Sequence, residues 1–107
     1  MPRTVAALVW RAMDSPVALD PQHRTAATAA RRATLTKREF AVLSLLAGGG
    51  GETVPSARLL AEVWGPHTPV ANLRVAIGGL RRKLEADPQL PTLIVTVPGQ
   101  GYRLGKV

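Results

Sequence analysis

The side chains best suited to chemistry in this sequence are the cations between Leu73 and Leu84, a segment with three arginines, one lysine and no acid. At about 100° per residue, its leucines and isoleucine share one helical face. The other positions, together with Ala71 just before the segment, are mostly small or cationic: Ala71, Arg74, Val75, Gly78, Arg81 and Arg82. Guanidinium groups bond phosphates or the edge of guanine, and Val75 suits a thymine methyl. The segment therefore fits a helix laid against a DNA duplex, with an ordinary solvated face as the alternative.

A strand, a Pro98-Gly99 turn and a second strand are predicted directly after this helix, within Leu93–Leu104. A basic helix followed at once by a β-hairpin is typical of a winged helix that meets DNA. The pair indicates a nucleic-acid-binding domain.

Charge and length narrow the class of protein. Fourteen Lys and Arg against seven Asp and Glu give a formal charge of +7 on 107 residues. Such an excess favours a polyanionic partner, nucleic acid before others, although a merely soluble charged surface is the alternative. The length suits one domain with one core. No apolar run approaches the ~20 residues of a membrane span, so we predict no membrane association.

Catalysis is not predicted, because few reactive groups could converge. The only histidines are His23 and His67, both in predicted loops. Gly48–Gly51 lacks the Lys-Ser/Thr of a P-loop, and no HExxH or GxGxxG motif is present. Without cysteine there is no disulfide and no thiolate metal site. We therefore predict no enzyme, no cofactor and no metal.

Short extended segments separated by turn signals make up the N-terminal third of the chain. The predicted strands are Val5–Trp10, Pro16–Leu19, Arg24–Thr28 and Arg32–Leu35, with a turn at Asp20–His23. Two alternatives remain open here. The first residues resemble a transit peptide, and the alanines of Ala26–Ala33 suit a helix.

Helical spacing begins after Leu35. Thr36 and Glu39 fit a capping box that opens a first helix, which ends at Gly48–Gly51. Its predicted apolar face is Phe40, Leu43, Leu46 and Ala47. A second helix is predicted over Ser56–Trp64, with a solvent-side pair between Arg58 and Glu62.

The third predicted helix runs over about 69–85, with Thr68 as N-cap and Pro69 at the first helical position. Its core positions are Leu73, Ile77, Leu80 and Leu84.

These segments together resemble the C-terminal winged-helix effector domain of OmpR/PhoB-type response regulators, the transcription factors of two-component systems. The similar segments, in family order, are Leu35–Leu43, Leu59–Gly65, Leu73–Leu84 and Val95–Leu104, with a weaker likeness at Val17–Asp20. Leu73-Arg74-Val75 and Pro98-Gly99 are most similar to the potassium-responsive branch.

The resemblance implies an α+β winged helix-turn-helix fold with an N-terminal four-stranded antiparallel sheet, three helices and a C-terminal hairpin wing. Residues 1–35 would form the sheet, and residues 36–107 the three-helix core and wing of the same domain. It implies transcriptional regulation in the cytoplasm and binding of double-stranded DNA at direct repeats as a dimer. The third helix would enter the major groove, and the wing, about 93–104, would reach the minor groove or the backbone.

The resemblance also implies particular contact residues. Those assigned to DNA are Asn72, Arg74, Val75, Gly78, Arg81, Arg82 and Thr96, with Ala71 and Pro98 at further contact positions of the family. The loop assigned to RNA polymerase is Gly65, Pro66, His67, Thr68 and Pro69. Gly99, Gly101 and Tyr102 would be structural.

Several positions depart from the family's pattern. Small residues stand where many relatives carry polar or basic side chains: Ala71, Ala76, Gly78 and Gly79. Two adjacent glycines cost a helix roughly 1 kcal/mol each relative to alanine. Close approach of the backbone to DNA and relaxed selection are both open explanations. Pro55 stands where a capping serine is usual, and Pro98 where many members have arginine.

A phosphoacceptor receiver domain usually precedes such an effector domain, and this sequence contains none. We expect the chain to be a fragment, a stand-alone protein or the tail of a fusion. Without a linked partner it should be a monomer that binds weakly and dimerises on DNA. The alternative function is a protein-interaction or non-specific DNA-anchor module on a winged-helix scaffold.

Overall fold

A computed structural model describes residues 16–105. Its N-terminal part is an antiparallel sheet of β1 (Ala18–Asp20), β2 (Thr25–Ala27) and β3 (Arg32–Thr34), in the order β1-β2-β3. The Asp20 carboxylate shapes the first turn by accepting from the backbone N–H groups of Gln22 and His23 at 3.0 and 3.3 Å. The predicted sheet is thus confirmed over these strands, and the helical alternative for Ala26–Ala33 is wrong. The predicted strand Val5–Trp10 lies outside the described residues.

The first helix, α1 (Lys37–Gly48), begins with the predicted capping box. Thr36 Oγ1 accepts from the Glu39 N–H at 3.1 Å, and Glu39 Oε1 accepts from the Thr36 N–H at 2.9 Å. Leu43 and Leu46 are buried as predicted, and Val42 is buried too, whereas Phe40 and Ala47 are half-buried.

The other two helices are α2 (Ser56–Val63) and α3 (Val70–Leu84). The predicted core face of α3 is confirmed, since Leu73, Ile77, Leu80 and Leu84 are all buried. The predicted pair between Arg58 and Glu62 is also present at 2.6 Å. No helix within residues 16–105 is long and apolar enough to cross a membrane.

The predicted cap of α3 is wrong. Pro69 occupies the N-cap, and no side chain caps the helix. The Thr68 hydroxyl instead donates to the Gly65 carbonyl at 2.9 Å, within the loop before the helix. At α2, where Pro55 has no capping side chain, the Ser56 N–H donates to the Gln100 carbonyl at 3.1 Å. The hairpin carbonyl thus satisfies the first N–H of α2, a different donor from the N2 or N3 N–H that a capping side chain would bond.

The second sheet contains the hairpin and has the order β4-β6-β5. Its strands are β4 (Val54–Pro55), β5 (Ile94–Val97) and β6 (Gly101–Leu104). The Gln100 N–H donates to the Val97 carbonyl at 3.0 Å, and Gly99 takes φ +73°, as the third residue of a tight Pro-Gly turn requires. Gly101 packs against the backbone of Val54 and Ser56, where any Cβ would overlap main-chain atoms. Gly101 is thus structural, as predicted, because of close packing.

A buried carboxylate joins α3 to the hairpin. Glu85, the C-cap of α3, is only 2% exposed. Its two oxygens accept from the N–H groups of Thr92, Leu93 and Ile94 at 2.7–3.0 Å. Three otherwise unpaired donors at the start of β5 are satisfied in this way.

A second buried carboxylate connects α1 to α3. Glu39 is 7% exposed, and its Oε1 lies 2.7 Å from Lys83 Nζ. Burial by itself would raise the pKa of Glu39. The hydrogen bonds from Lys83 and from the Thr36 backbone outweigh it, so the pKa lies below its ordinary value.

Acid should weaken this connection. A carboxylate whose pKa is lowered in the folded state contributes stability above the pKa of the unfolded chain, and loses it as pH falls through the folded-state pKa. We expect the difference in unfolding free energy between wild type and Glu39→Gln to be constant near neutral pH and to shrink below about pH 5. Urea denaturation at a series of pH values measures it. A difference that stays constant into the acid range would contradict the expectation.

Candidate nucleic-acid interface

The outward face of α3 is open to solvent along its N-terminal half. Ala71, Asn72, Arg74 and Val75 are all exposed, and Val75 is 71% exposed. Arg82, two turns further along, is exposed as well. Neither Arg74 nor Arg82 forms a hydrogen bond or ion pair within residues 16–105. Their guanidinium groups therefore keep all their donors for an external partner.

Arg81, predicted as a third contact on this face, instead lies against the hairpin. Its Nε and Nη2 donate to the Ile94 carbonyl at 3.2 and 2.9 Å, and Nη2 also donates to Thr96 Oγ1 at 2.9 Å. The guanidinium carbon lies 6.0 Å from the centre of the Tyr102 ring. Arg81 and Thr96 are therefore brought together, and the contact ties the wing to α3.

The two glycines of α3 differ in their surroundings. Gly78 is half-buried, and an added Cβ would meet only Arg82 Nη1, at 3.4 Å. Gly79 is buried, and a Cβ there would overlap the Glu39 carboxylate. Packing against Glu39, whose carboxylate is held by the Thr36 N–H and by Lys83, is a structural reason for a glycine at position 79. At Gly78, close approach of DNA stays a prediction.

Alanine substitutions should separate these roles. Gly78→Ala is expected to raise the free energy of unfolding by about 0.5–1 kcal/mol, the helix-propensity difference. Gly79→Ala is expected to lower it by about 1 kcal/mol, because displacing Glu39 costs the capping box and the Lys83 pair more than alanine gains. Urea denaturation of both variants measures the contrast. An equal rise in the free energy of unfolding of both variants would show that the Glu39 side chain moves aside at no cost.

Two grooves flank the outward face of α3. The wing groove, about 310 Å³, lies between Val70 and Arg74 of α3 and Thr96, Gln100 and Tyr102 of the hairpin.

The α1 groove, about 450 Å³, lies on another side of α3, between Arg38 and Trp64 and the residues Asn72, Val75 and Arg82. The Arg38 guanidinium stacks 5.4 Å from the centre of the Trp64 ring. Arg38 was not among the predicted contact residues. The available signal was an arginine near the start of the predicted first helix with no acid three or four positions away, but only the fold brings it beside α3.

The loop between α2 and α3 projects as a short exposed segment. Pro66, His67 and Pro69 are exposed, and His67 takes the left-handed φ of +68°. The loop is closed by the Thr68 hydroxyl and begins at Gly65, with φ +114°. The five predicted loop residues thus form one continuous surface.

Four of the eleven lysines and arginines of residues 16–105 lie on α3, namely Arg74, Arg81, Arg82 and Lys83, and this helix carries no acid. Only Lys83 among these is paired with a carboxylate. Within residues 16–105, no group of three or more His, Asp and Glu side chains could hold a metal ion. The cations of α3 suit binding to an anionic polymer.

Comparison with known proteins gives a consistent match. Residues 30–104 fit the family model described as "Transcriptional regulatory protein, C terminal". The response regulator MprA of Mycobacterium ulcerans is 44% identical over 92 residues, which are 84% of this chain and 39% of that protein. The chain thus spans about two fifths of the length of the curated relatives it matches.

Solved structures agree with the family match. Response regulator DrrB of Thermotoga maritima, an OmpR/PhoB homologue, has a TM-score of 0.74 at 26% identity, covering 98% of this chain and 52% of that one. The Klebsiella pneumoniae RstA DNA-binding domain, solved in complex with the RstA box, has a TM-score of 0.70 at 26% identity, covering 85% and 92% of the two chains.

Proposed function

The chain belongs to the family of C-terminal domains of transcriptional regulatory proteins, and from this premise we propose that it reads double-stranded DNA with the outward face of α3 and with the wing. It has the winged-helix fold of OmpR/PhoB-type response regulators. This family consists of transcriptional regulators rather than enzymes.

The observation that carries the proposal is the pair of unpartnered arginines, Arg74 and Arg82, on an exposed helix face. A helix with its side chains is about 10–12 Å across, close to the ~12 Å width of the major groove. Asn72 suits adenine, Val75 the thymine methyl, and the two arginines guanine or phosphate. Gly78 lets the helix backbone approach closely.

Arg81 and Thr96 belong to the proposed site in another way. Their mutual hydrogen bond keeps the wing beside α3. The Arg81 Nη1 group, which forms no hydrogen bond within residues 16–105, stays available to a phosphate. The wing then reaches the minor groove or the backbone with Pro98 and Gly99 at its tip, without the arginine common in the family.

Salt dependence tests the proposal. The affinity of the 107-residue chain for a random-sequence duplex should fall with a slope of about −0.9 in log K per log salt for each phosphate contact. Arg74→Ala and Arg82→Ala should each weaken binding by about 1–3 kcal/mol, and a residue bonded to phosphate should also reduce the slope by about 0.9. Fluorescence anisotropy at several salt concentrations measures both quantities.

Arg31→Ala is the matched control, since Arg31 is an exposed arginine in the turn between β2 and β3. Selection from a duplex pool then separates a sequence reader from a non-specific anchor. Enrichment of a direct repeat supports the reader, and salt-sensitive binding without enrichment supports the anchor. Salt-independent or absent binding would favour a protein-interaction module.

Further partners are proposed from the same family. The domain would bind direct repeats as a dimer in the cytoplasm, with the sheet of residues 1–35 and the core of residues 36–107 acting as one domain. The exposed loop, residues 65–69, would contact RNA polymerase, and a receiver or other fused domain would control assembly. Likeness to the potassium-responsive branch rests on Leu73-Arg74-Val75 and Pro98-Gly99.

A further inference from the structure

Only one of the two grooves beside α3 has a role in the proposed function. The wing groove lies between α3 and the hairpin, which already has a proposed role on DNA. The α1 groove has none. Because the major groove is scarcely wider than a helix, a helix that enters it has a sugar–phosphate backbone on either side.

We propose that the α1 groove seats the sugar–phosphate backbone of one DNA strand, with Arg38 as its phosphate ligand. This inference rests on the proposed function, since it presumes that α3 enters the major groove. It adds a contact from α1, an element with no proposed DNA-binding residue.

The shape of the groove suits a backbone strand. Small side chains, Ala71 and Ala76, lie along its α3 side, and the surface is mostly apolar between two arginines. Deoxyribose presents apolar surface, and the phosphates on either side need cations. Larger side chains at positions 71 and 76 would narrow the groove, so these departures from the family pattern serve the proposed contact.

The side chain of Arg38 is ready for such a contact. It stacks on Trp64 at 5.4 Å and forms no hydrogen bond or ion pair within residues 16–105. Stacking restricts the side chain while leaving the edge of the guanidinium free to bond phosphate.

One carboxylate, that of Glu39, also lines the α1 groove. It is buried, accepts from the Thr36 N–H and is paired with Lys83 at 2.7 Å. Its charge is therefore offset within the protein, and Arg38 and Arg82 dominate the field in the groove.

The test compares Arg38→Ala with Lys37→Ala in the 107-residue chain. Lys37 is the adjacent exposed cation of α1 and does not line the groove, so it controls for diffuse charge. Anisotropy with a random-sequence duplex is expected to show binding roughly five- to tenfold weaker for Arg38→Ala, with a salt slope smaller by about 0.9. Lys37→Ala should change affinity less than about twofold. Arg38→Lys should restore the slope but only part of the affinity, because lysine keeps the charge without the planar fork.

Equal losses in Arg38→Ala and Lys37→Ala would overturn the proposal, since only diffuse charge would be at work. The proposal would also be overturned if Arg38→Ala bound DNA as tightly as the wild type while Arg74→Ala bound more weakly. That result would leave the proposed function intact. If the wild type shows no salt-sensitive binding, both fail together. Thermal unfolding of each variant identifies a loss that comes from misfolding.

Discussion

Replacing Glu85 with alanine is expected to lower the free energy of unfolding by about 3–5 kcal/mol, the largest effect of any substitution considered. The wild-type carboxylate is 2% exposed and accepts from three consecutive backbone donors, those of Thr92, Leu93 and Ile94. Alanine leaves these donors without their acceptor, and each unsatisfied buried donor costs about 1–3 kcal/mol. Entry of water into the vacated space keeps the sum below its maximum.

Urea denaturation at neutral pH measures the loss, and Glu52→Ala serves as control because Glu52 is exposed. Glu85→Gln should fall between the two, since an amide retains one accepting oxygen for three donors. Hydrogen exchange at residues 92–94 should accelerate in both Glu85 variants. A loss below about 1 kcal/mol in Glu85→Ala would mean that water replaces the carboxylate fully.

The location of Glu85 means that its substitution should also affect DNA binding. The residue ends α3 and holds the first residues of β5, so it sets where the hairpin begins relative to the helix. A weakened junction should affect DNA binding through the wing more than through the outward face of α3.

The predictions that were confirmed rest on local rules. The capping box at Thr36 and Glu39, the apolar face of α3 and the Arg58–Glu62 pair each involve residues three or four positions apart, or a repeat of that spacing. Helix geometry alone brings such residues together. The hairpin has the same advantage, because its strands are adjacent in the chain.

The features that the sequence did not reveal depend on residues far apart in the chain. Glu39 and Lys83 are 44 positions apart, and the first N–H of α2 donates to the hairpin carbonyl of Gln100. Strand β4, with two residues, has no periodicity to detect. From the sequence, Gly79 only lowers the helix propensity of α3. The residue it packs against, Glu39, belongs to another helix and is not apparent from local spacing.

The candidate site shows a limit of helical spacing. Helical spacing predicts that Arg81 lies on the same side of α3 as Arg74, and the continuous helix of residues 70–84 places the two Cα atoms in that way. Spacing does not say where a long side chain extends, and Arg81 extends to Ile94 and Thr96. Arg38 shows the converse, because its place in the α1 groove depends on the packing of α1 against α3.

Replacing Arg81 with methionine is expected to lower the free energy of unfolding by about 2–3 kcal/mol. The Ile94 carbonyl loses its arginine donors, and hydrogen bonds that involve a charged group contribute about 1.5–3 kcal/mol. DNA binding should weaken further than stability alone explains, since a wing detached from α3 must be ordered again on the duplex. Methionine keeps much of the aliphatic length, so packing changes little.

The salt slope distinguishes wing positioning from direct contact. If Arg81 acts mainly by holding the wing, Arg81→Met should weaken binding with a slope change well below the ~0.9 of a lost phosphate contact. Thr96→Val should reproduce part of the effect, and the double variant should lose less than the sum of the two, by about 0.5–3 kcal/mol, because both remove the same hydrogen bond. Additive losses with a full reduction in slope would instead make Arg81 a phosphate ligand that leaves the hairpin when DNA binds.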